Sequence, residues 1–192
     1  MEQAVLERFS PVMLHSILQA LRRFEPDLYA HLCRAYHVDA DRILGLFTEV
    51  ELIGPGQLQP LLGNLRLHQS YHDIVYLAGR NALHTASERQ GVRFPRLAHD
   101  TSRFQALLKQ LFPPFLGLAT YSVLVRGELH FVELRDSVFA RGVEHSNMVC
   151  GFYAGFLAEL GSNCVEGAAT AAEIRCCATD PEAPSCMIRL NL

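Results

Sequence analysis

Five of the six cysteines in this chain fall within its last 43 residues: Cys150, Cys164, Cys176, Cys177 and Cys186. Only Cys33 lies in the first half. The start, Met1-Glu2-Gln3, shows no basic region followed by an apolar run, so no secretory leader is read and a reducing, cytoplasmic setting is expected. In that setting clustered cysteines more often hold a metal than pair as disulfides. Cys150, Cys176 and Cys186 with Glu173 offer three thiolates and one carboxylate, a set that suits Zn²⁺, which takes four ligands tetrahedrally and accepts mixed sulfur and oxygen donors. A four-ligand site is closed, so the expected role is structural. Such a clip would tie the segment carrying Cys150 to the end of the chain and couple metal binding to folding. Cys177 is a rival ligand. On a regular strand Glu173 and Cys177 share a face, whereas Glu173 and Cys176 do not. Either the strand ends or bulges at Arg175, or Cys177 is the ligand.

The remainder of the chain bounds the fold. Its 192 residues are 49% hydrophobic and 19% charged, enough for one packed domain with a helical extension. The formal charge is -3, and Lys109 is the only lysine. Nucleic-acid domains carry a basic excess, so a nucleic-acid partner is not expected. The longest uncharged stretch, Gln110 to Val125, is broken by Pro113-Pro114 and falls short of the ~20 residues a membrane helix needs.

Periodicity divides the chain in two. Ser10-Pro11 starts a helix with Leu14, Ile17, Leu18 and Leu21 inward. Pro26-Asp27 starts a second, with Leu28, Leu32 and Ala35 inward, and a third is predicted over Ala40 to Phe47. Gly54-Pro55-Gly56 reads as a loop and sets a boundary between a helical extension, 1–55, and a main domain, 56–192. Leu67 to Gln90 reads as a long helix closed by Gly91, with Tyr71, Ile74 and Ala78 on one face. Asp100 or Thr101 caps another helix carrying Phe104, Leu107, Leu108 and Leu111. The period then changes. Gly117 to Val125 and Glu128 to Leu134 read as strands around a tight turn at Arg126-Gly127, and Ser137 to Arg141 as a short third strand. Ser146 or Asn147 caps a helix from Met148 to Leu160, closed by Gly161. Its small face, Gly151, Ala154, Gly155 and Ala158, is expected to lie close against a sheet. Val165 to Cys177 and Met187 to Leu192 complete the chain as strands. The order argues an α+β fold with an antiparallel sheet packed on helices.

Glu144-His145-Ser146-Asn147-Met148-Val149-Cys150-Gly151-Phe152-Tyr153-Ala154-Gly155-Phe156 resembles the cysteine-led, Gly/Ala-rich helix of the 4-vinyl reductase domain family. Glu173-Ile174-Arg175-Cys176, followed by Cys186-Met187-Ile188, resembles that family's closing motif. Tyr76-Leu77-Ala78-Gly79-Arg80-Asn81-Ala82 is similar to its helix with an embedded glycine. The resemblance spans roughly residues 60 to 192. It implies the ligand-binding fold of NO-signalling and Golgi-transport proteins, shared with the sensor domains of phenol- and toluene-responsive activators. It further implies a zinc site at Cys150, Glu173, Cys176 and Cys186 beside a pocket for a hydrophobic molecule. The family spacing selects Cys176 over Cys177. The chain departs from the family in the loop from Cys177 to Ser185, which is longer and lacks glycine. It also places Ala154 and Ala171 where the phenol sensors carry tyrosines, which argues a wider cavity.

Tyr121, Phe131, Phe152 and Phe156, with Phe139 beside them, are the candidate lining of an apolar ligand pocket. The alternative for these rings is plain core. His68 and His72, four apart on a predicted helix, are candidates for a metal or a tetrapyrrole, and His145 for a partner behind the metal ligands. Cys33 and Cys164 read as small core residues. The chain holds no hydrolase elbow, phosphate-binding glycine loop or dinucleotide fingerprint, so a binding role is favoured over an enzyme. The expected function is a zinc-stapled domain holding a hydrophobic small molecule, and the family name points to a tetrapyrrole intermediate of bacteriochlorophyll synthesis. An enzyme subunit reducing a vinyl group with a partner's electrons is the alternative, and a ligand-free protein-interaction subunit a further one. The helical extension is expected to pair two copies as a homodimer.

Overall fold

The computed structural model describes residues 11–36, 55–92, 94, 101–112, 120–126, 129–140, 143–145, 147–165 and 167–192. The helix expected over Ala40 to Phe47, the cap at Asp100 and the turn residue Gly127 lie outside them. Helix α1 (Pro11–Phe24) opens on a proline whose fixed φ suits the first turn. It buries Leu14, Ile17, Leu18 and Leu21 in the same core as the later helices. The apolar face of this helix is therefore used within the chain. Helix α2 (Pro26–Tyr36) buries Leu32, while Ala35 is exposed rather than inward.

Pro55 and Gly56, expected in a loop, belong to a helix; Gly54 lies outside the described residues. Helix α3 (Pro55–Arg66) starts at its proline, the same device that opens α1 and α2. The long helix is also shorter than expected. Residues Leu67 to Ser70 form a turn, closed by His68 N–H to the Leu65 carbonyl and Tyr71 N–H to the His68 carbonyl, both 3.0 Å. Helix α4 (Tyr71–Gln90) follows and ends on Gly91 at φ 63, a left-handed cap that glycine adopts freely. Helix α5 (Thr101–Leu111) buries Phe104, Leu107, Leu108 and Leu111 as its period predicts.

Strands β1 (Thr120–Arg126) and β2 (Leu129–Arg135) form the expected hairpin. Ser137 to Arg141 is not a strand in its described part. Asp136 adopts φ 59, and the Ser137 hydroxyl and carbonyl accept from the N–H groups of Phe139 and Ala140, so the chain turns instead of extending. Helix α6 (Gly151–Ser162) begins three residues later than expected and runs past Gly161. Asn163 follows it, its side chain donating to the Glu159 carbonyl at 2.8 Å. Strands β3 (Thr170–Arg175) and β4 (Cys186–Asn191) close the chain. The four strands form one antiparallel sheet in the order β1-β2-β4-β3.

Every residue of α6 from Phe152 to Gly161 is buried, as required of a helix packed on two sides. One side meets β3 and β4 and the other meets α4. The small face, expected against the sheet, makes its tightest contact with α4. A Cβ on Gly155 would overlap the Tyr76 carbonyl, and one on Gly79 the Phe152 carbonyl. Gly161 is the glycine that faces the sheet, where a Cβ would stand 2.7 Å from the Ala169 Cβ. The inner sheet face contributes Val132, Leu134, Ile188 and Leu190, all fully buried.

Candidate metal centre

Cys150 stands at the N-terminal edge of α6, where unpaired backbone N–H groups and the helix dipole favour negative charge. Glu173 comes from β3, and its Oε2 accepts the Cys150 N–H at 2.8 Å. That bond fixes the helix start to the strand. Cys186 is the first residue of β4 and Cys176 follows the last residue of β3. The hairpin register explains how Cys176 reaches the site. Glu173 pairs with Ile188 and Arg175 with Met187, so Ile174 is an extra residue, a bulge. The bulge resets the alternation and turns Cys176 toward Glu173. Ile174 is left 40% exposed.

The three sulfurs and a Glu173 oxygen all lie within 4.8 Å of one another. Cys150 Sγ is 3.6 Å from Cys186 Sγ, and Cys186 Sγ is 3.9 Å from Cys176 Sγ. A tetrahedral zinc with Zn–S near 2.3 Å has S···S edges of about 3.8 Å, so these separations match the coordination polyhedron. Glu173 Oε1 is buried without a hydrogen-bond partner, an acceptor facing the sulfurs with no donor to satisfy it. Cys150, Cys176 and Cys186 are essentially inaccessible. Cys177 is half-buried; its N–H donates to Cys186 Sγ at 3.3 Å, while its own thiol turns to the Ala183 carbonyl at 3.4 Å. The long loop closes without glycine because the Cys176 carbonyl accepts from the N–H groups of both Thr179 and Asp180, each at 3.1 Å.

Four acidic groups this close cannot all ionise without a cation to share. Left to themselves they divide the charge unevenly. Burial pushes the Cys150 thiol well above its ordinary range. Burial, and then the close approach of the Cys176 sulfur, pushes the Glu173 carboxyl up to about 9. Hydrogen bonds from the Cys150 and Cys186 thiols hold Cys176 far below the usual thiol range.

The other candidates stand apart from the cluster. His68 lies in the turn before α4, accepting from the Ser70 N–H, so it does not share a helix face with His72. The His145 ring, on a half-buried residue, accepts from the Asn147 N–H at 3.0 Å; the loop is held to the hairpin by the His145 backbone N–H, which donates to Ala178 O. Tyr121, Phe131, Phe152 and Phe156 do not converge on one pocket. Phe131 pairs across from Leu124 and Arg189 on the opposite sheet face from Val132 and Leu134. Phe152 and Phe156 are fully buried against Phe139, Tyr153 and Phe112, and Tyr121 packs edge-on against Phe112. Cys164 is buried in the core and Cys33 half-buried against it.

A groove missed as such in the sequence opens beside Glu173. Its volume is about 430 Å³, and Met148, Gly151, Ala154, Ala171 and Ala172 line it together with Glu173. His72, Asp73 and Tyr76 of α4, with Asn147, complete the lining. The two alanines at the positions of the sensor tyrosines do face this open space. The signal available beforehand was their small size, four residues after Cys150 and two before Glu173.

No family model matches the chain, and no curated protein does. Solved structures share its fold. An H-NOX protein from S. oneidensis in the Fe(II) ligation state aligns over 96% of this chain and 96% of its own, with TM-score 0.61 at 13% identity. The unliganded Fe(II) form of a mutant H-NOX protein from K. algicida aligns over 95% and 96%, with TM-score 0.59 at 10% identity. A structure from work on heme distortion in the H-NOX family aligns over 96% and 95%, with TM-score 0.61 at 13% identity. The chain has the H-NOX-like α+β fold. Among the described residues no helix is long and apolar enough to cross a membrane.

Proposed function

We propose that this chain is a small-molecule-binding module in which a divalent ion, Zn²⁺ by donor chemistry, joins the start of α6 to the β3–β4 hairpin beside the ligand groove. The observation that carries the reading is the set of four ligand atoms within 4.8 Å, with sulfur separations that fit a tetrahedral site. Bound there, the ion supplies a structural staple rather than an open catalytic position. The groove has the volume of a small-ligand site, and Met148, Gly151 and three alanines share its lining with the polar side chains of His72, Asp73, Asn147 and Glu173. Glu173 belongs both to the groove wall and to the metal set, so occupancy of one bears on the other.

The fold is also that of heme-associated H-NOX proteins. In this chain Phe112, Phe139, Phe152, Tyr153 and Phe156 fill the space around α6 ring against ring. That packing does not fit a planar macrocycle in the core, so the proposed ligand is a smaller apolar molecule in the groove rather than a tetrapyrrole. Elemental analysis of the full chain purified without added metal tests the staple. About one zinc per chain is expected, and less than about half an equivalent overturns it. Native mass spectrometry of the same sample tests the ligand. A co-purifying small molecule supports binding, whereas a tight complex with another protein supports the interaction-subunit reading instead. Vinyl reduction by the purified chain with a divinyl substrate and a reductant would overturn both.

A further inference from the structure

Arg66, the last residue of α3, is 9% exposed and is the one buried lysine or arginine among the described residues. A guanidinium keeps its charge at any pH the protein meets, so burying it is strongly unfavourable unless negative charge faces it. No carboxylate among the described residues pairs with it. Its Nη2 donates to the Phe139 carbonyl at 2.9 Å, and its Nε is buried without a partner. Both sets of its contacts lead to Cys150. The guanidinium lies against the Tyr71 hydroxyl, which donates to the carbonyl of Val149 at 2.6 Å, one residue before the ligand. On the other side the Phe139 N–H donates to Ser137 Oγ, which stands 3.0 Å from Cys150 Sγ.

Three thiolates and one carboxylate bring four negative charges to a dication, leaving two in excess in a buried place. We propose that Arg66 is the counter-charge of the bound metal centre, a positioning residue that acts through Tyr71 and the Ser137–Phe139 turn to offset the excess negative charge of the liganded site. The inference rests on the metal-binding reading above. It accounts for a buried cation that pairs with no carboxylate among the described residues, and for the convergence of its contacts on a ligand more than 80 residues away in sequence.

The test is Zn²⁺ affinity of the full chain, measured by competition with a chromophoric chelator from about pH 6 to about pH 8. Arg66→Gln keeps a polar group for the Phe139 carbonyl but removes the charge, and Arg66→Lys keeps the charge. Arg66→Gln is expected to weaken binding about 10-fold to 100-fold and to move the midpoint of zinc uptake to higher pH. Arg66→Lys is expected to keep the wild-type pH midpoint. Thermal melts of the chelated forms separate a folding defect from a metal defect, because a purely structural role lowers those melts without moving the pH midpoint. An Arg66→Gln chain with wild-type affinity and pH profile overturns the proposal, as does an Arg66→Lys chain whose midpoint shifts as far as that of Arg66→Gln. A wild-type chain that takes up no Zn²⁺ overturns the metal reading itself, which is a separate outcome.

Discussion

Cys176 and Cys177 are adjacent thiols with opposite surroundings. Cys176 Sγ sits among two sulfurs and a carboxylate, and Cys177 Sγ faces a loop carbonyl. Cys176→Ser is therefore expected to lower the zinc content of the purified chain to well under half of wild type, while Cys177→Ser keeps it. The reverse pattern by elemental analysis would make Cys177 the ligand. Glu173 sets a pH dependence with a definite sign. Its folded carboxyl is pushed up to about 9 against an ordinary 4.5. The folded chain without metal thus binds a proton that the unfolded chain releases. This contribution is complete below about pH 4.5 and fades as pH rises through about 9. Cys176, held far below the usual thiol range, contributes with the opposite sign over the same window. Denaturant midpoints of the chelated chain should therefore stay nearly level there, whereas Glu173→Gln, which leaves only the Cys176 contribution, should make them rise with pH. With Zn²⁺ present the midpoints should fall at the acidic end, because protons compete with the ion for the ligands.

The contact between α4 and α6 is made by backbone against backbone. Gly79 and Gly155 meet the opposite helix at Phe152 and Tyr76, and neither position has room for a methyl group. Gly155→Ala is expected to destabilise the chain by about 2–3 kcal/mol, read as a lower urea midpoint. Gly63 in α3 has nothing within 4 Å of its Cβ position, so Gly63→Ala should be neutral or stabilise by up to about 1 kcal/mol. Equal effects at the two sites would mean that helix propensity, not the crossing, governs both. The two glycine-bearing segments were legible as motifs in the sequence. That they pack on each other was not, because a stripe of small residues accepts a sheet or a helix equally well.

At the scale of the molecule, the staple reinforces elements already joined by α6 packing and by the Cys150–Glu173 and His145–Ala178 hydrogen bonds. Cys150 and Cys186 lie 36 residues apart, yet their sulfurs are in contact. An ion that binds only the folded arrangement stabilises it by mass action, about 4 kcal/mol at a thousandfold excess over Kd. Chelation is therefore expected to lower the melting temperature by about 10 °C for a chain of this length. Differential scanning calorimetry with and without chelator measures it, and an unchanged melt would mean that the four groups hold no ion that matters to folding.

Residue types left the metal set open between Cys176 and Cys177, but their local order determined α1, α2, α5, the β1–β2 hairpin and the α+β class. Each of these depends on neighbours a few residues apart, where the 3.6 and 2.0 periods and the proline and glycine signals act. Tertiary structure alone decided the bulge at Ile174 that turns Cys176 inward, the placement of Phe131 on the far face of the sheet, the groove over Ala154 and Ala171, and the burial of Arg66 behind Cys150. Those features arise where segments remote in the chain meet. A strand register or a helix crossing is set by the packing of both partners at once, and neither partner's sequence carries that information alone.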